Sequence, residues 1–266
     1  MNFIIKLIEI AKVSMKSNIS YVFAAWGAFF SNILQIFIFY YIWMAVYGDN
    51  TVLNGISKDQ MITYIILSRI LYTQITWGFI HVIGNKIQSG DIVMDLLRPV
   101  DFQLFTYISR LGDIISFGIM NAIPALILAG MFLGLYLPHN PIILLYFIIS
   151  LLMAITISFF IEFWIGLLAF YTVNSWGLQT LYEASISFFS GSLIPLAFFP
   201  HWLKAIVNFL PFKDMLYTPI SIYLGIVNGN QILESLFFQF LWVIALLVLS
   251  RLIYCFSIKQ VTIQGG

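Results

Sequence analysis

The chain has 266 residues, of which 61% are hydrophobic, 18% aromatic and 9% charged, with a formal net charge of +1. Soluble domains are about half apolar and about a quarter charged, so this composition and a mean hydropathy of +0.98 exclude an ordinary soluble domain. The small net charge argues against a nucleic-acid partner, and the single cysteine, Cys255, excludes a disulfide framework or a thiolate metal cluster within one chain.

Two long stretches of the chain contain no charged residue. One covers the 32 residues between Lys16 and Asp49, and the other covers the 48 residues between Asp113 and Glu162. Because a membrane span needs about 20 apolar residues, the second stretch holds two spans around a turn. The sequence therefore predicts an all-α membrane protein that forms a single transmembrane domain over residues 1–266.

The first predicted element is an amphipathic helix over residues 3–16, within an interfacial segment 1–18. Its charged residues recur at steps of three and four, with apolar residues filling the other side. Such a helix lies in the membrane interface instead of crossing it. The alternative is a basic flank of the first span. The charged residues are Lys6, Glu9, Lys12 and Lys16.

Six membrane spans follow in the prediction. Proline and asparagine in the "LPHNP" turn at 137–141 separate the third from the fourth, and "TVNSWG" at 172–177 separates the fourth from the fifth. After the fifth span, the stretch 190–212 is apolar but too rich in glycine and proline to form one straight helix. The predicted spans are 21–46, 60–84, 114–136, 142–170, 178–198 and 232–256.

Lysine and arginine placement predicts the orientation of these spans. With the N-terminus inside, eight basic residues lie on the cytoplasmic side and three on the outer side, with Arg69 inside a span. Cytoplasmic loops carry an excess of Lys and Arg, so both termini and the loop 85–113 are expected to be cytoplasmic. The eight are Lys6, Lys12, Lys16, Lys86, Arg98, Arg110, Arg251 and Lys259; the three are Lys58, Lys204 and Lys213.

The loop 85–113 is unusually charged for this chain. Seven of the 23 charged residues lie in the 28 residues from Lys86 to Asp113. Residues 91–98 suit a short helix that would place Asp91, Asp95 and Arg98 on one face, since they stand at i, i+4 and i+7. Pro99 would end this helix, and Asp101 could cap a second one. The pattern leaves open whether the short helix lies on lipid headgroups or docks onto a soluble partner.

Two motifs resemble a known family. The stretch "GDIVMDLLRPV" at 90–100 resembles the cytoplasmic loop of permease subunits of ATP-binding-cassette (ABC) exporters, in the group where "LLRPV" or "LLKPV" recurs. The run Gly191-x-x-x-Pro195, Phe199-Pro200-x-Trp202-Leu203 and Leu210-Pro211-Phe212 is similar to the fifth-span region of type-two exporter permeases. Leu210 stands where many relatives have asparagine.

The resemblance implies a permease that binds two cytoplasmic ATPase subunits and a second permease, either identical or related. The chain would bind no cofactor, since ATP and Mg²⁺ would belong to the ATPase, and it would be no enzyme by itself. It would lie in the bacterial plasma membrane, with residues 3–16 as an interface helix. The helix around 91–98 would couple it to the ATPase through Asp91, Ile92, Met94, Asp95, Leu96, Arg98 and Pro99.

The same resemblance places the transport path between spans two and five. Aromatic residues there suggest an amphipathic or hydrophobic substrate, although membrane helices are aromatic in any case; they are Tyr72, Trp77, Phe188 and Phe189. The segment 191–230 would form short re-entrant helices that close the path on the outer side. Its marker residues are Gly191, Pro195, Pro200, Trp202 and Pro211.

Other functions stay open at this point. The chain has no G-x-x-x-x-G-K-[ST] motif, so energy would come from another subunit or from an ion gradient. A secondary transporter, a channel and a membrane enzyme are the alternatives. Ionisable residues within spans are candidates for function, but Arg69 could reach the outer interface, and Glu162 and Glu183 could lie near the inner surface. His81 is expected at an interface.

Overall fold

A computed structural model of the chain describes residues 3–19, 22–76, 78–138, 140–172 and 175–260. This part is almost entirely helical, and the chain is an all-α membrane protein. The α-helices are α1 (Phe3–Ile19), α2 (Val22–Tyr47), α3 (Lys58–Ile75), α4 (Phe79–Ser89), α5 (Ile92–Leu96), α6 (Phe102–Phe117), α7 (Ile123–Leu133), α8 (Pro141–Leu167), α9 (Ser175–Phe189), α10 (His201–Asn208), α11 (Tyr217–Tyr223) and α12 (Asn230–Ser257).

Shorter elements link these helices. A hairpin between α2 and α3 pairs β1 (Val52–Leu53) with β2 (Ile56–Ser57), and a π-helical turn joins α6 to α7 at Gly118–Ala122. Short 3₁₀ helices extend or connect the longer ones at Leu168–Phe170, Leu196–Phe198, Pro211–Met215 and Ile258–Gln260.

Four helical stretches of the described residues are long and apolar enough to cross a membrane. They overlap the predicted spans one, three, four and six, and they are Ala25–Tyr47, Phe102–Leu133, Pro141–Phe170 and Asn230–Ser257. The helices that begin the predicted spans two and five are shorter than these four stretches: α3 has 18 residues and α9 has 15. At 1.5 Å per residue these are about 27 Å and 22 Å long, less than the roughly 30 Å hydrocarbon core. Six crossings therefore stay a prediction.

The segment predicted as span two is two helices, not one. Ser57 begins α3 with a capping box, in which its side chain accepts from the Gln60 amide while the Gln60 side chain accepts from the Ser57 amide. The helix ends at Ile75, and α4 begins at Phe79 after Gly78, whose φ is +70°. Glycine adopts this left-handed conformation without strain, so the sequence itself permits the break.

The helix that contains span three begins earlier than predicted. We predict a loop up to residue 113, whereas helix runs from Phe102 to Leu133 through the π-helical turn. Pro124, in the first turn of α7, has no amide hydrogen, and the wider turn before it accommodates the lost bond. Arg110 consequently lies within a helix and is 3% exposed, so it is not a loop cation.

The protein core surrounds α8. Phe159 and Phe163 are fully buried there, and they pack against aromatic rings from α4, α6 and α12 at centroid distances of 4.9 to 6.0 Å. These rings belong to Phe79, Phe102, Tyr107 and Tyr254. Within a membrane such large side chains stabilise the bundle through van der Waals packing, since lipid tails are as apolar as the rings. The helix α8 therefore fixes the positions of α4 and α6.

The amphipathic helix α1 packs against α6. Gly112 makes the close approach possible, since a Cβ atom there would lie 2.5 Å from the Ala11 carbonyl oxygen. Ser14 also donates a hydrogen bond to Asp113. Several apolar side chains of α1 remain exposed, including Phe3 and Ile4, as expected for a helix that lies on a membrane surface.

Long-range bonds define two ends of the bundle. At one end, Arg251 in α12 pairs with Asp101 before α6 at 2.7 Å, close to α5. At the other, the Gln60 side chain at the start of α3 donates to the Leu224 carbonyl oxygen at 2.9 Å, close to the hairpin. We refer to these as the α5 end and the hairpin end.

Candidate functional site

The short helix predicted to couple to an ATPase is α5, at the α5 end. Gly90, with φ +81°, ends α4 and reverses the chain, and α5 covers Ile92–Leu96. Ile92 is buried, and Leu96 packs against the main core. Pro99 follows, and because a proline disfavours helical geometry in the residue before it, the helix stops. This five-residue helix is shorter than the predicted 91–98.

Asp95 fastens α5 to the bundle. It is 5% exposed, and its carboxylate pairs with Lys86 Nζ of α4 at 2.6 Å and with the Arg98 guanidinium at 3.1 Å. The expected face shared by Asp91, Asp95 and Arg98 is therefore not presented to the outside as a unit. Two cations fully engage Asp95, while Asp91 precedes the helix and accepts from Ser89 Oγ at 2.7 Å.

The outer surface of α5 is mainly apolar. Met94 is 68% exposed and Leu97 is 75% exposed, and Asp91 and Pro99 flank them at the surface. The Arg98 guanidinium lies 4.4 Å from the centre of the Phe105 ring, which holds its side chain against α6. The surface at α5 is therefore two apolar side chains, on the helix and directly after it, with Asp91 and Arg98 beside them.

A capping interaction sets the start of α6 next to α5. The Asp101 side chain accepts from the Leu104 amide at 3.1 Å, which satisfies a free donor at the helix N-terminus. Its other oxygen pairs with Arg251. The charged loop is thus folded into α5 and the first turns of α6.

The helix α4 links α5 to the bundle centre through tight packing. A Cβ atom at Gly84 would lie 2.6 Å from Ser175 Cβ of α9, and one at Gly166 of α8 would lie 2.9 Å from Ile83 Cβ. His81 Nδ1 lies 3.1 Å from Ser175 Oγ, so this histidine connects α4 to α9. Motion of α4 would therefore be transmitted to α8 and α9.

Three of the four predicted path residues lie in the described part of the chain, and Trp77 lies outside it. Tyr72 Oη approaches the Glu183 carbonyl oxygen of α9 at 3.4 Å, so α3 meets α9 there. Phe188 and Phe189 stand about 8 to 9 Å further along α9. Phe188 packs on Phe199 at 5.7 Å and Phe189 on Phe212 at 6.0 Å.

The segment after α9 is tied to α3. Gly191, with φ +83°, turns the chain, and Tyr64 Oη donates to its carbonyl oxygen at 2.6 Å. A Cβ at Gly191 would lie 2.9 Å from Tyr64 Oη, so both the conformation and the space favour glycine. Arg69 donates to the neighbouring Ser192 carbonyl oxygen.

Prolines divide the rest of this segment into short helices. Pro195 precedes the 3₁₀ helix Leu196–Phe198, Pro200 precedes α10, and Pro211 begins the 3₁₀ helix Pro211–Met215. The Lys204 side chain donates to the Ala197 carbonyl oxygen at 2.9 Å and joins the first two. Trp202 is exposed on α10. All of the predicted gate residues therefore lie in one folded unit.

The comparison with protein families decides the identity. The family model described as ABC-2 family transporter protein matches residues 30–265. The chain belongs to this family. The resemblance to type-two ABC permeases is thereby confirmed. No curated protein matches the chain.

Family membership makes this ABC-2 permease a multi-pass membrane component of a transporter, which is not itself the catalytic part. The family implies association with ABC ATPase subunits.

The position of Arg69 in the permease differs from the outer-interface position that the sequence left open. It is 4% exposed, and its guanidinium lies 4.6 Å from the Phe39 ring centre and 5.1 Å from that of Tyr72. With its bond to Ser192, the charge is held by aromatic faces and a carbonyl. Arg69 therefore connects α2, α3 and the segment after α9, inside the protein.

The sequence did not reveal one feature of the permease, the pairing of Arg110 with Glu162. The two side chains are 3% and 0% exposed, and they approach to 3.4 Å between α6 and α8. The residues are 52 positions apart, and Arg110 stood in an assumed loop, so no local spacing pointed to the pair. The only available signal was the charge of Glu162 within an apolar stretch.

Proposed function

We propose that this ABC-2 permease is the membrane half of an exporter driven by a separate ATPase, and that it docks on this ATPase through α5. The observation that carries the proposal is the exposed pair of Met94 on α5 and Leu97 directly after it, with Asp95 joining α5 to α4 through Lys86. Apolar side chains that project from a fixed helix suit a cleft in a soluble partner, where buried anchor residues supply most of the binding energy. Two ATPase subunits would serve two permeases.

In this proposal, movement of the ATPase reaches the path through α4. The Lys86–Asp95 ion pair makes α5 follow α4, and α4 is packed closely on α8 and α9. Closure of an ATP-bound ATPase pair would displace α5 and tilt α4, and the tight packing would transmit this motion to α9. The path between two permeases would then open on alternate sides of the membrane.

The proposed path runs along α3 and α9 and ends at the segment 191–230. Tyr72, Phe188 and Phe189 would line it, and Trp77 would join them on the sequence prediction alone. These aromatic side chains suit an amphipathic or hydrophobic compound that is moved out of the cell. The turn at Gly191, held by Tyr64 and Arg69, would form the outer closure.

The proposed location is the bacterial plasma membrane, with the α5 end and both termini in the cytoplasm. Within this orientation, the buried position of Arg110 removes one residue from the eight cytoplasmic cations and leaves seven against three on the outer side. The excess of basic residues that supports the orientation is therefore retained. A second permease, identical or related, would complete the path.

The test is co-purification of the tagged permease with a Walker-motif ATPase from its own cells. Replacing both Met94 and Leu97 by glutamate should lower recovery of the ATPase by at least tenfold, since it removes two apolar anchors and adds two charges. The control is Val52→Glu, which changes a 55% exposed apolar residue at the hairpin end and should leave recovery unchanged. Unchanged recovery with the double variant would reject docking through α5.

A further inference from the structure

The break between α3 and α4 leaves backbone groups that need partners. The last carbonyl oxygens of a helix accept no hydrogen bond from the helix itself, and they lie at the negative end of its dipole. Here Arg110 Nη2 of α6 donates to the Gln74 oxygen at 3.2 Å and to the Ile75 oxygen at 3.1 Å. A side chain from a different helix therefore caps α3.

Arg110 also contacts the other side of the break. Its guanidinium lies 5.2 Å from the ring centre of Phe79, the first residue of α4. The break itself contains Gly78 in the left-handed conformation, and its amide donates to the Thr76 oxygen at 2.7 Å. One guanidinium thus joins the end of α3 to the beginning of α4.

Glu162 holds this guanidinium in place. Its carboxylate is fully buried on α8 and lies 3.4 Å from Arg110 Nη2. An isolated charge is costly inside a protein, so each partner is needed to balance the other. The joint between α3 and α4 is consequently anchored on α6 and on α8, which belong to two of the four membrane-length stretches.

The two halves of this segment pack mainly on different neighbours. The helix α3 packs mainly on α2, α7 and α11 and reaches α9 through Tyr72, whereas α4 packs mainly on α8, α9 and the Leu168–Phe170 turn. The helix α4 also carries Lys86, which binds α5 through Asp95. The halves therefore belong to different parts of the bundle and meet at Arg110.

We propose that Arg110 is a positioning residue that sets the angle between α3 and α4, and that Glu162 fixes Arg110 at this joint. When α5 moves, α4 pivots about the joint while α3 stays with the hairpin end. The transport role of the pivot rests on the proposed function above; the control of the angle by Arg110 does not. If the Arg110–Glu162 pair only stabilised the core, replacing both residues by apolar ones would leave the angle between α3 and α4 unchanged.

The angle can be measured by the distance between spin labels across the break. The chain has one cysteine, Cys255, so Cys255→Ser gives a background for Asp59→Cys on α3 and Val82→Cys on α4. The two Cα atoms would lie at most about 35 Å apart, the length of a straight helix at 1.5 Å per residue, and this is within reach of pulsed electron resonance. The full chain is studied in lipid nanodiscs and diluted with unlabelled chain, so that distances within one chain dominate.

A label pair on one unbroken helix provides the control. Leu233→Cys and the native Cys255 both lie on α12 and are exposed. Their distance distribution should be the same in every variant. Any change there would mean that the whole bundle, not the joint, had altered.

The decisive variant is the double replacement Arg110→Leu and Glu162→Leu. It leaves no unbalanced buried charge, so its Tm should fall much less than that of Arg110→Met alone. The Gln74 and Ile75 oxygens nevertheless lose their donor, so the distribution across the break should become at least twice as wide as in the unchanged chain. Arg110→Lys, which keeps the charge but not the forked donor, should give an intermediate width.

The result that overturns the proposal is a double variant whose distribution across the break is as narrow as in the unchanged chain. If Arg110→Met fails to fold, the double variant alone decides. Neither outcome depends on an ATPase, so failure here would leave docking through α5 intact.

Discussion

Ion pairs occur in two surroundings in this permease, and their exposure separates them. At the α5 end, Arg251 and Asp101 pair at 2.7 Å with side chains 46% and 38% exposed. At the break between α3 and α4, Arg110 and Glu162 are 3% and 0% exposed. Water screens the attraction in the first pair, which therefore contributes about 0 to 1 kcal/mol to folding stability. Breaking a buried pair costs about 3 to 5 kcal/mol of that stability.

The Asp95 cluster lies between these two extremes. Its carboxylate is buried, but Lys86 and Arg98 are partly exposed, so only the acid depends on its partners for solvation. Ion pairs therefore serve two purposes here. Near the surface they orient α5 at a modest gain in stability, and in the core the Arg110–Glu162 pair lies at the joint between α3 and α4.

The largest expected effect tests the buried side of this comparison. Glu162→Gln should destabilise the folded permease by about 3 to 5 kcal/mol, because Arg110 then remains buried without a counter-charge. Thermal unfolding in detergent measures the change. Glu234→Gln, at an exposed acid on α12, is the matched control and should have almost no effect. Equal Tm values for the two variants would contradict the assignment of Glu162 to a buried ion pair.

An intermediate effect is expected at the Asp95 cluster. Asp95→Asn should cost about 1 to 3 kcal/mol, because a buried acceptor loses its charge-assisted bonds while the two cations can turn towards water. ATPase recovery should fall by more than the loss of stability explains, because α5 is no longer fixed to Lys86. The control is Asp91→Asn, which changes an exposed acid beside the same helix. If Asp91→Asn has the larger effect on stability, Asp95 is not the residue that fixes α5.

The smallest effect is expected at Arg251. Arg251→Met should change the unfolding free energy by less than about 1 kcal/mol, since its pair with Asp101 is exposed. The remaining difference should disappear at about 1 M salt, where screening reaches only about 3 Å. The cost of Glu162→Gln should persist at the same salt concentration. A salt-insensitive loss at Arg251 would remove the contrast between the two pairs.

The part of the site that could be predicted from the sequence is the part encoded by neighbouring residues. The turn at Gly90, the stop at Pro99 and the cap at Asp101 each act within a few residues, and the predicted short helix lies between them. The orientation of Asp95 could not be predicted, because a five-residue helix has no periodicity that shows which side is covered. Only the positions of Lys86 and Arg98 in space turn Asp95 inward.

The sequence by itself determined the class of the protein. Apolar residues make up 61% of the chain, so most of its surface has to face lipid or other helices, and the two motifs determined the ABC-2 resemblance. The tertiary structure showed that the predicted span two is broken at Gly78. It also showed that Arg110 donates to the carbonyl oxygens at this break and pairs with Glu162. The physical reason is that unmet carbonyl oxygens and a buried charge can be satisfied only by groups that are distant in the chain but close in the fold.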